Sequence, residues 1–282
     1  MECLSKNWFG LKWTPWVHFR DHGSFQYFPG FPGVYRVKPV GKNQLYYIGQ
    51  TGRTLKERLQ SLIRNALQEE MPYNDPHTAA PSLWAWMDAE SMEFEVSAAP
   101  VNLSRREREG LESCLLWKYR LEKGESTACN HGRFHPHYRK SGDRRKGMRG
   151  GRLPENEINP SGGQSSKPLS LRGTPQSETW MGLHWQNLLE LNVSGIQKSP
   201  RAKGIYKLLG DGELLYIGQT ANLKSRLTSH SRVSWGTSPI YYSFCMLSDE
   251  LLPHQIKELE NDLLGAFYFQ NKTVPRFQYG RK

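Results

Sequence analysis

The sequence contains a set of four polar side chains, two tyrosines, an arginine and a glutamate, twice over and in the same order. The first set is Tyr35, Tyr47, Arg58 and Glu112, and the second set is Tyr206, Tyr216, Arg226 and Glu260. A charged side chain beside a core requires an opposite charge, a phosphate or water, because burial of an unpaired charge is costly. One such residue alone is typical of a buried ion pair. Its recurrence within the same ordered set favours a shared chemical role.

The arginine of each set lies on a predicted amphipathic helix. Leu55, Leu59 and Leu62 have the i, i+4, i+7 spacing of an apolar stripe. Arg58 lies at the edge of that stripe, and Arg226 follows a leucine at the same spacing. Both guanidinium groups are therefore expected where the core meets the surface.

The glutamate of each set lies on a later predicted helix. Glu112 and Glu260 are each followed by leucines at i+3 and i+4, which places both carboxylates beside an apolar face. Glu109 and Glu258 have polar neighbours instead, so we expect these two to be exposed to solvent.

Both sets belong to a longer internal repeat. WFGLKW at residues 8–13 recurs as WMGLHW at 180–185, GVY at 33–35 recurs as GIY at 204–206, and YIGQT at 47–51 is repeated at 216–220. The order is kept while the spacing changes slowly, as expected of a duplication with altered loops. The tryptophan segment that precedes each copy is expected to pack on its core.

A stretch of different composition separates the copies. Residues 139–178 are rich in Gly, Pro, Ser and Arg and contain few core-forming residues. This composition predicts a flexible, basic linker between a first domain at 1–138 and a second domain at 179–282. The linker is either a solvated tether or a non-specific arm that binds phosphates.

Each copy begins with two strands that are expected to pair. Apolar alternation predicts strands at 34–38 and 44–48 in the first copy, and at 205–209 and 214–217 in the second. The second pair is joined by the turn sequence GDGE. A third strand is predicted at about 93–98 in the first copy and 240–246 in the second.

Helices follow the strands in both copies. Thr54 and Asn222 are good N-cap residues for the arginine-bearing helices, and the glutamate-bearing helices come later. The sequence therefore predicts an α/β (α+β) protein with two small domains. Each domain is expected to have a three-stranded antiparallel sheet flanked by helices.

The first copy has a longer stretch between its arginine and its glutamate. This insertion contains PYNDPH at 72–77 and two tryptophans, Trp84 and Trp86. The insertion could contact DNA or add a packing layer, and packing is favoured.

With its GVY/GIY and YIG motifs, each followed by an arginine-bearing and a glutamate-bearing helix, the chain resembles the GIY-YIG nuclease family. That family includes homing endonucleases, restriction enzymes and a nucleotide-excision-repair nuclease. The resemblance covers about residues 33–133 and 204–282. It implies metal-dependent cleavage of a phosphodiester bond, in which Glu112 or Glu260 would hold one Mg²⁺ (or Mn²⁺) ion.

The resemblance also implies roles for the remaining members of each set. Tyr35 or Tyr206 would act as the base toward the attacking water, Tyr47 or Tyr216 would orient water or phosphate, and Arg58 or Arg226 would neutralise phosphate charge. An ordinary phenol has a pKa of about 10, so the base role requires nearby cations that lower it.

The two copies depart from the family pattern in different places. The family often has His or Tyr four residues after the arginine, where the second copy has His230 and the first has Leu62. The family closes with an asparagine that supports the site; the first copy has Asn130, whereas the second has Gln278. Because sub-ångström placement affects catalysis, we expect the first copy to be ahead of the second in activity.

Composition narrows the classes of protein that fit. The chain has 282 residues and a formal net charge of +11, which fits either a polyanionic partner or a merely basic protein. Four scattered cysteines form no zinc motif and no disulfide framework, which favours the cytoplasm. The sequence has no apolar stretch long enough to cross a membrane, so no membrane partner is expected.

The sequence therefore predicts a metal-dependent endonuclease that cuts double-stranded DNA with tandem GIY-YIG units, in restriction or defence. The two units could act on both strands or form an internal pseudodimer. One alternative is a DNA-binding protein whose duplicated nuclease fold has lost turnover. Another is a structure-specific nuclease of repair or recombination.

Overall fold

Two four-stranded antiparallel sheets carry the repeated motifs in the computed structural model, which describes residues 2–280. The fold is mixed α+β, as predicted. Contacts divide the chain into two compact units. Unit 1 comprises Met1–Arg108 and Lys118–Ser165, and unit 2 comprises Glu109–Trp117 and Ser166–Lys282.

The sheet of unit 1 is built on the GVY and YIG motifs. Its strands are β1 (Val17–His18), β2 (Gly33–Pro39), β3 (Tyr47–Thr51) and β4 (Phe94–Pro100). They lie in the order β1-β4-β2-β3, and each neighbouring pair is antiparallel. Every residue of β2 is buried, as expected of a central strand covered on both faces. The predicted three-stranded sheet lacked β1, because two residues are too few to show alternation.

Three α-helices belong wholly or partly to unit 1: α1 (Leu55–Ala66), α2 (Ala80–Glu90) and α3 (Arg105–Lys123). Helix α1 begins where predicted, with the hydroxyl of Thr54 accepting a hydrogen bond from the Glu57 amide at 3.2 Å. Its leucine stripe is buried. Helix α3 begins with a capping box. Its middle turns, Glu109–Trp117, belong to unit 2.

The segment predicted as a flexible linker is held by hydrogen bonds over much of its length. It contributes a short hairpin of β5 (Tyr138–Arg139) and β6 (Gly151–Arg152), and 3-10 turns at Arg144–Lys146 and Pro160–Gly162. Farther along, Leu169 donates its amide to the carboxylate of Asp262 at 2.9 Å. Composition does not reveal these contacts because their partners are distant in sequence.

Unit 2 repeats the architecture. Its strands are β7 (Leu189–Glu190), β8 (Gly204–Gly210), β9 (Glu213–Thr220) and β10 (Tyr241–Met246), in the order β7-β10-β8-β9, and its helices are α4 (Val193–Gln197), α5 (Leu223–Ser231) and α6 (Pro253–Asn271). Helix α5 begins as predicted, with Asn222 accepting from the amide of Ser225 at 3.0 Å. The edge strand β7 pairs with β10 as β1 pairs with β4, and it too was missing from the prediction.

The tryptophan segments pack on their cores, as predicted. They form 3-10 turns at Trp8–Gly10 and Trp180–Gly182; further 3-10 turns lie at Glu2–Leu4 and His22–Tyr27. In both copies the second indole donates to the carbonyl of the first tryptophan at 3.0 Å. Each segment also covers a buried cation, Arg36 above Trp13 at 4.2 Å and Lys207 above Trp185 at 4.3 Å.

Two glutamates expected at the surface are not there. Glu258 is fully buried, and its carboxylate accepts hydrogen bonds from the amide and hydroxyl of Ser166 at 2.7 and 2.9 Å. Glu109 is half-buried. The polar sequence neighbours of Glu258 gave a wrong prediction of exposure, because its hydrogen-bond partner, Ser166, lies in a distant segment. Within residues 2–280, no helix is both long and apolar enough to cross a membrane.

Candidate active site

In the second copy, the two motif tyrosines lie on neighbouring strands. Tyr206 of β8 pairs with Gly218 of β9, and its ring centroid lies 6.1 Å from that of Tyr216. A Cβ at Gly218 would lie 2.4 Å from the Tyr206 hydroxyl oxygen. Glycine is therefore required at this position because the phenol occupies the space of a side chain.

Helix α5 supplies the next two groups. Arg226 and His230 are four residues apart and so lie on one face of the helix. Nε of Arg226 donates to the Tyr206 hydroxyl at 3.1 Å, and Nε2 of His230 lies 2.7 Å from the same oxygen. The indole of Trp235 donates to the carbonyl of His230 at 3.1 Å and closes the end of the helix.

The Tyr206 hydroxyl is a neutral phenol in this environment. Burial raises its pKa well above the ordinary value, and the neighbouring Tyr216 adds to the increase. The hydrogen bond and charge of Arg226 oppose that increase. Tyr206, and to a lesser extent Tyr216, raise the pKa of Arg226, so one guanidinium faces both tyrosines. Ionisation of Tyr206 therefore needs a proton acceptor, and His230 is within hydrogen-bond distance.

Helix α6 brings Glu260 to the same place. Burial raises the pKa of Glu260 to about 7, while a hydrogen bond from the backbone of Gln219 and the charges of Lys257 and Arg226 lower it. Gln219 directly follows the YIG motif. The carboxylate thus lies between the end of β9 and Arg226.

The donor set fits a weakly held divalent cation. Among the residues the structure describes, no three His, Cys, Asp or Glu side chains cluster closely enough to hold a metal. Mg²⁺ needs fewer protein ligands, because it keeps several waters and completes its shell with substrate phosphates. A cation would also offset the unfavourable burial of the Glu260 carboxylate. Glu260 is therefore the residue of this copy that could hold Mg²⁺ or Mn²⁺.

Gln278 occupies the place taken by Asn130 in the first copy. Its amide oxygen accepts from the backbone amide of Ile217 at 3.2 Å, and the amide oxygen of Asn130 accepts from Ile48 at 2.9 Å. Asn130 also donates to the Ile48 carbonyl at 2.8 Å. Ile48 and Ile217 are the central residues of the YIG motifs, so the extra methylene of Gln278 does not prevent this contact.

The first copy assembles part of the same arrangement in unit 1. The rings of Tyr35 and Tyr47 lie 5.9 Å apart, and Nε of Arg58 donates to the Tyr35 hydroxyl at 3.3 Å. Leu62 is buried where His230 stands in the second copy. No imidazole therefore reaches Tyr35 from α1.

A histidine from the insertion lies beside this arrangement. Nη1 of Arg58 donates to the carbonyl of Pro76 at 3.2 Å, and Nε2 of the next residue, His77, lies 2.7 Å from the hydroxyl of Ser61. His77 is buried, and its Nδ1 has no hydrogen-bond partner among residues 2–280. Burial lowers the pKa of His77 to about 4, helped by the charges of Arg58 and Arg53. His77 was not predicted as a site residue, because its only signal in the sequence is a histidine within the insertion that follows Arg58.

Glu112, the remaining predicted member of the first set, lies in the part of α3 that belongs to unit 2. There the hydroxyl of Tyr279 lies 2.7 Å from that of Ser113. Burial raises the pKa of Tyr279, and the charges of Glu112, Glu260 and Glu109 raise it further. The charges of both predicted metal ligands thus reach one partly buried tyrosine.

No protein-family model matches the chain, and comparisons with curated proteins and with solved structures found no match. In unit 2 the structure brings together Tyr206, Tyr216, Arg226, His230 and Glu260; in unit 1 it brings together Tyr35, Tyr47 and Arg58, with Asn130 behind the second tyrosine's strand. Such a group can bind a phosphate, orient water and transfer a proton.

Proposed function

We propose that the protein is a metal-dependent endonuclease that hydrolyses phosphodiester bonds in double-stranded DNA, with tandem GIY-YIG units. The observation that carries the proposal is the hydroxyl of Tyr206, held between Nε of Arg226 and Nε2 of His230 at 3.1 and 2.7 Å. The nearby Glu260 carboxylate supplies a site for a hard cation. Together these groups provide a proton acceptor, an anion-binding donor and a cation ligand.

Each of the chain's site residues has a separate role in the proposed reaction. His230 accepts the phenol proton of Tyr206, and the resulting phenolate, stabilised by Arg226, takes a proton from the attacking water. The guanidinium of Arg226 has further donors that can bind the scissile phosphate. Tyr216, close to Arg226, orients the water or the phosphate. When bound at Glu260, Mg²⁺ or Mn²⁺ neutralises charge on the phosphate and the leaving oxygen.

DNA is the partner that suits the charge of the chain. The net charge of +11 favours a polyanion, and an arginine stands beside the tyrosines in each copy. Restriction or defence is the biological role we propose, because such roles require an enzyme that cuts duplex DNA.

A second candidate function is favoured for the first copy alone. Leu62 leaves Tyr35 without the helix-borne imidazole that Tyr206 has in His230. Arg58 is kept and can still bind phosphate. We therefore propose that the first copy contributes more to DNA binding, and the second copy more to turnover. This reverses the order of activity expected from the sequence.

The test is cleavage of supercoiled, linear and branched DNA with Mg²⁺ or Mn²⁺. Wild type is expected to cut, and a chelator to stop the reaction. Arg226→Ala and Glu260→Gln should each abolish most cutting, whereas Arg58→Ala should chiefly weaken binding. Ser229→Ala, one residue before His230 on the exposed face of α5, is the matched control. Binding without cleavage under all conditions would favour the inactive DNA-binding alternative, and preference for branched DNA would favour the repair alternative.

A further inference from the structure

Unit 1 presents a strongly basic loop where the sequence predicts a free linker. We define the basic loop as residues 138–152, closed by pairing of β5 with β6. It contains seven lysines and arginines and one acidic residue, Asp143. The seven basic residues are all exposed: Arg139, Lys140, Arg144, Arg145, Lys146, Arg149 and Arg152. The loop therefore presents a dense positive surface to solvent.

The loop has a defined internal structure. The amide of Gly142 donates to the Met148 carbonyl at 2.9 Å, and the amide of Gly150 donates to the Ser141 hydroxyl at 2.9 Å. The carboxylate of Asp143 accepts from the amide of Arg145 at 2.7 Å and so shapes the turn between them. These bonds fix where the cations stand relative to one another.

A second segment, residues 70–77, anchors the loop; we call it the bridging segment. The backbone amide of Arg144 donates to the Asp75 carboxylate at 2.8 Å, and the Asn74 amide donates to the Gly142 carbonyl at 3.2 Å. The guanidinium of Arg149 lies 4.9 Å from the centroid of the Tyr73 ring, over its face. The loop is therefore held by hydrogen bonds and by an aromatic face.

The other end of the bridging segment contacts the first-copy site. The carbonyl of Pro76 accepts from Arg58 at 3.2 Å, and Arg58 in turn donates to the hydroxyl of Tyr35 at 3.3 Å. His77 joins the same segment to α1 through Ser61 at 2.7 Å. One short segment thus sets the position of the basic loop and of the arginine that faces Tyr35.

We propose that the basic loop is a fixed clamp for the phosphate backbone of duplex DNA, which seats the duplex at the first-copy site. The proposal deepens the proposed function and rests on it for the identity of the polyanion. Duplex DNA carries closely spaced phosphates, and cations held in a fixed array can bind several of them at once. A free tether would serve both copies alike, whereas an anchored loop serves the copy to which it is attached.

The first experiment removes cations that take no part in the anchoring contacts. The triple variant Arg139→Gln, Arg145→Gln, Lys146→Gln is compared with Lys6→Gln, Lys12→Gln, Lys42→Gln, which removes the same charge from exposed positions of unit 1. Binding to a blunt duplex is measured by fluorescence anisotropy over a range of salt concentrations. The loop variant should bind about tenfold more weakly than wild type. Its salt slope, the slope of the logarithm of the binding constant against the logarithm of the salt concentration, should become shallower by about 3, while both quantities change little in the control.

The second experiment asks which copy the loop serves. In an Arg226→Ala background the residual cutting comes from the first copy, and in an Arg58→Ala background most cutting comes from the second. The loop variant should lower first-copy cutting about tenfold or more and second-copy cutting less than about twofold. Equal losses in both backgrounds would overturn the clamp in favour of a general electrostatic effect.

The third experiment loosens the anchor without removing a cation. Asp75→Ala removes the acceptor for the Arg144 amide, so the salt slope should stay near that of wild type while first-copy cutting falls. An unchanged first-copy rate would show that the loop need not be fixed. If wild type binds duplex but cuts nothing, the proposed function fails. The clamp is then decided by the salt slopes and by the loop variant's loss of protected nucleotides in a hydroxyl-radical footprint.

Discussion

The hydroxyl oxygen of Tyr206 lies 2.7 Å from Nε2 of His230. In the first copy the position of His230 is taken by the buried side chain of Leu62, while Arg58 contacts the hydroxyl of Tyr35 as Arg226 contacts that of Tyr206. The two copies therefore share the arginine but differ at the atom that would receive the tyrosine's proton. Phosphate binding by the arginine can therefore be tested in both copies, and proton transfer to the imidazole in the second copy alone.

Replacing His230 should slow cutting by the second copy. In an Arg58→Ala background, His230→Gln is expected to reduce the cleavage rate about 10²- to 10⁴-fold, the usual range for loss of a general base. The affinity for uncut duplex should change little, because Arg226 is retained. Single-turnover rates over pH 5.5–9 measure the effect.

Ser229→Ala is the control for this variant, since its exposed hydroxyl bonds only within α5, to the Ser225 carbonyl. Wild-type rates in His230→Gln at every pH would remove the imidazole from the mechanism and leave Tyr206 without an identified acceptor.

A methyl group at Gly218 should displace the Tyr206 hydroxyl. The Cβ of Gly218→Ala would lie 2.4 Å from that oxygen and 2.6 Å from Cζ of the ring, so the ring must move. A misplacement of about 1 Å can cost about 10²-fold in rate. Second-copy cutting should therefore fall by about that factor, measured with the melting temperature as a check on folding.

Gly30→Ala provides a matched glycine substitution, because a Cβ there has nothing within 4 Å. It should leave both the rate and the melting temperature unchanged. If Gly218→Ala cut at the wild-type rate, the position of the Tyr206 hydroxyl would not matter to the reaction.

The parts of the fold that could be predicted depend on local patterns. Alternation located the central strands, and Thr54 and Asn222 marked the helix starts, because an N-cap bonds to an amide only three residues away. In both repeated sets the structure brings the first tyrosine and the arginine together. Arg58 contacts Tyr35, and Arg226 contacts Tyr206, in matching geometry.

The remaining features depend on contacts between distant residues. Glu258 was expected at the surface because its neighbours are polar, yet Ser166 binds it in the core. The basic loop was expected to be free because its composition is that of a linker, yet Asp75 and Tyr73 hold it. His77 was missed because the hydroxyl it contacts, that of Ser61, lies 16 residues away on α1. Single-residue periodicity contains no signal for such pairings.

His77 should make the stability of unit 1 depend on pH. Its pKa is lowered to about 4 in the folded protein, against about 6.5 when unfolded, so between these values the unfolded chain binds more protons. The free energy of unfolding therefore falls as the pH drops from 6.5 toward 4, by about 2 kcal/mol from this residue. His77→Gln should lose that part of the slope, seen as a smaller fall in melting temperature between pH 7 and 4.5.

His184→Gln serves as the comparison, because His184 is exposed on unit 2 and should leave the slope unchanged. Equal slopes in wild type and His77→Gln would mean that His77 is already protonated, or equally hydrated, in the folded protein.

Exchange of the two supporting amides should damage both copies. The amide oxygen of Asn130 accepts from the Ile48 amide at 2.9 Å, and that of Gln278 accepts from the Ile217 amide at 3.2 Å. Each side chain is long enough for its amide oxygen to reach the backbone amide in its own copy. Gln278→Asn shortens the side chain, so its oxygen should no longer reach the buried amide of Ile217. The free energy of unfolding should therefore fall by about 1–3 kcal/mol. Melting temperature and second-copy cutting in the Arg58→Ala background should both fall, and Asn130→Gln should have the same effect on unit 1. Faster cutting by Gln278→Asn would instead mean that glutamine is a defect of the second copy, and that the asparagine expected from the family pattern is the better support.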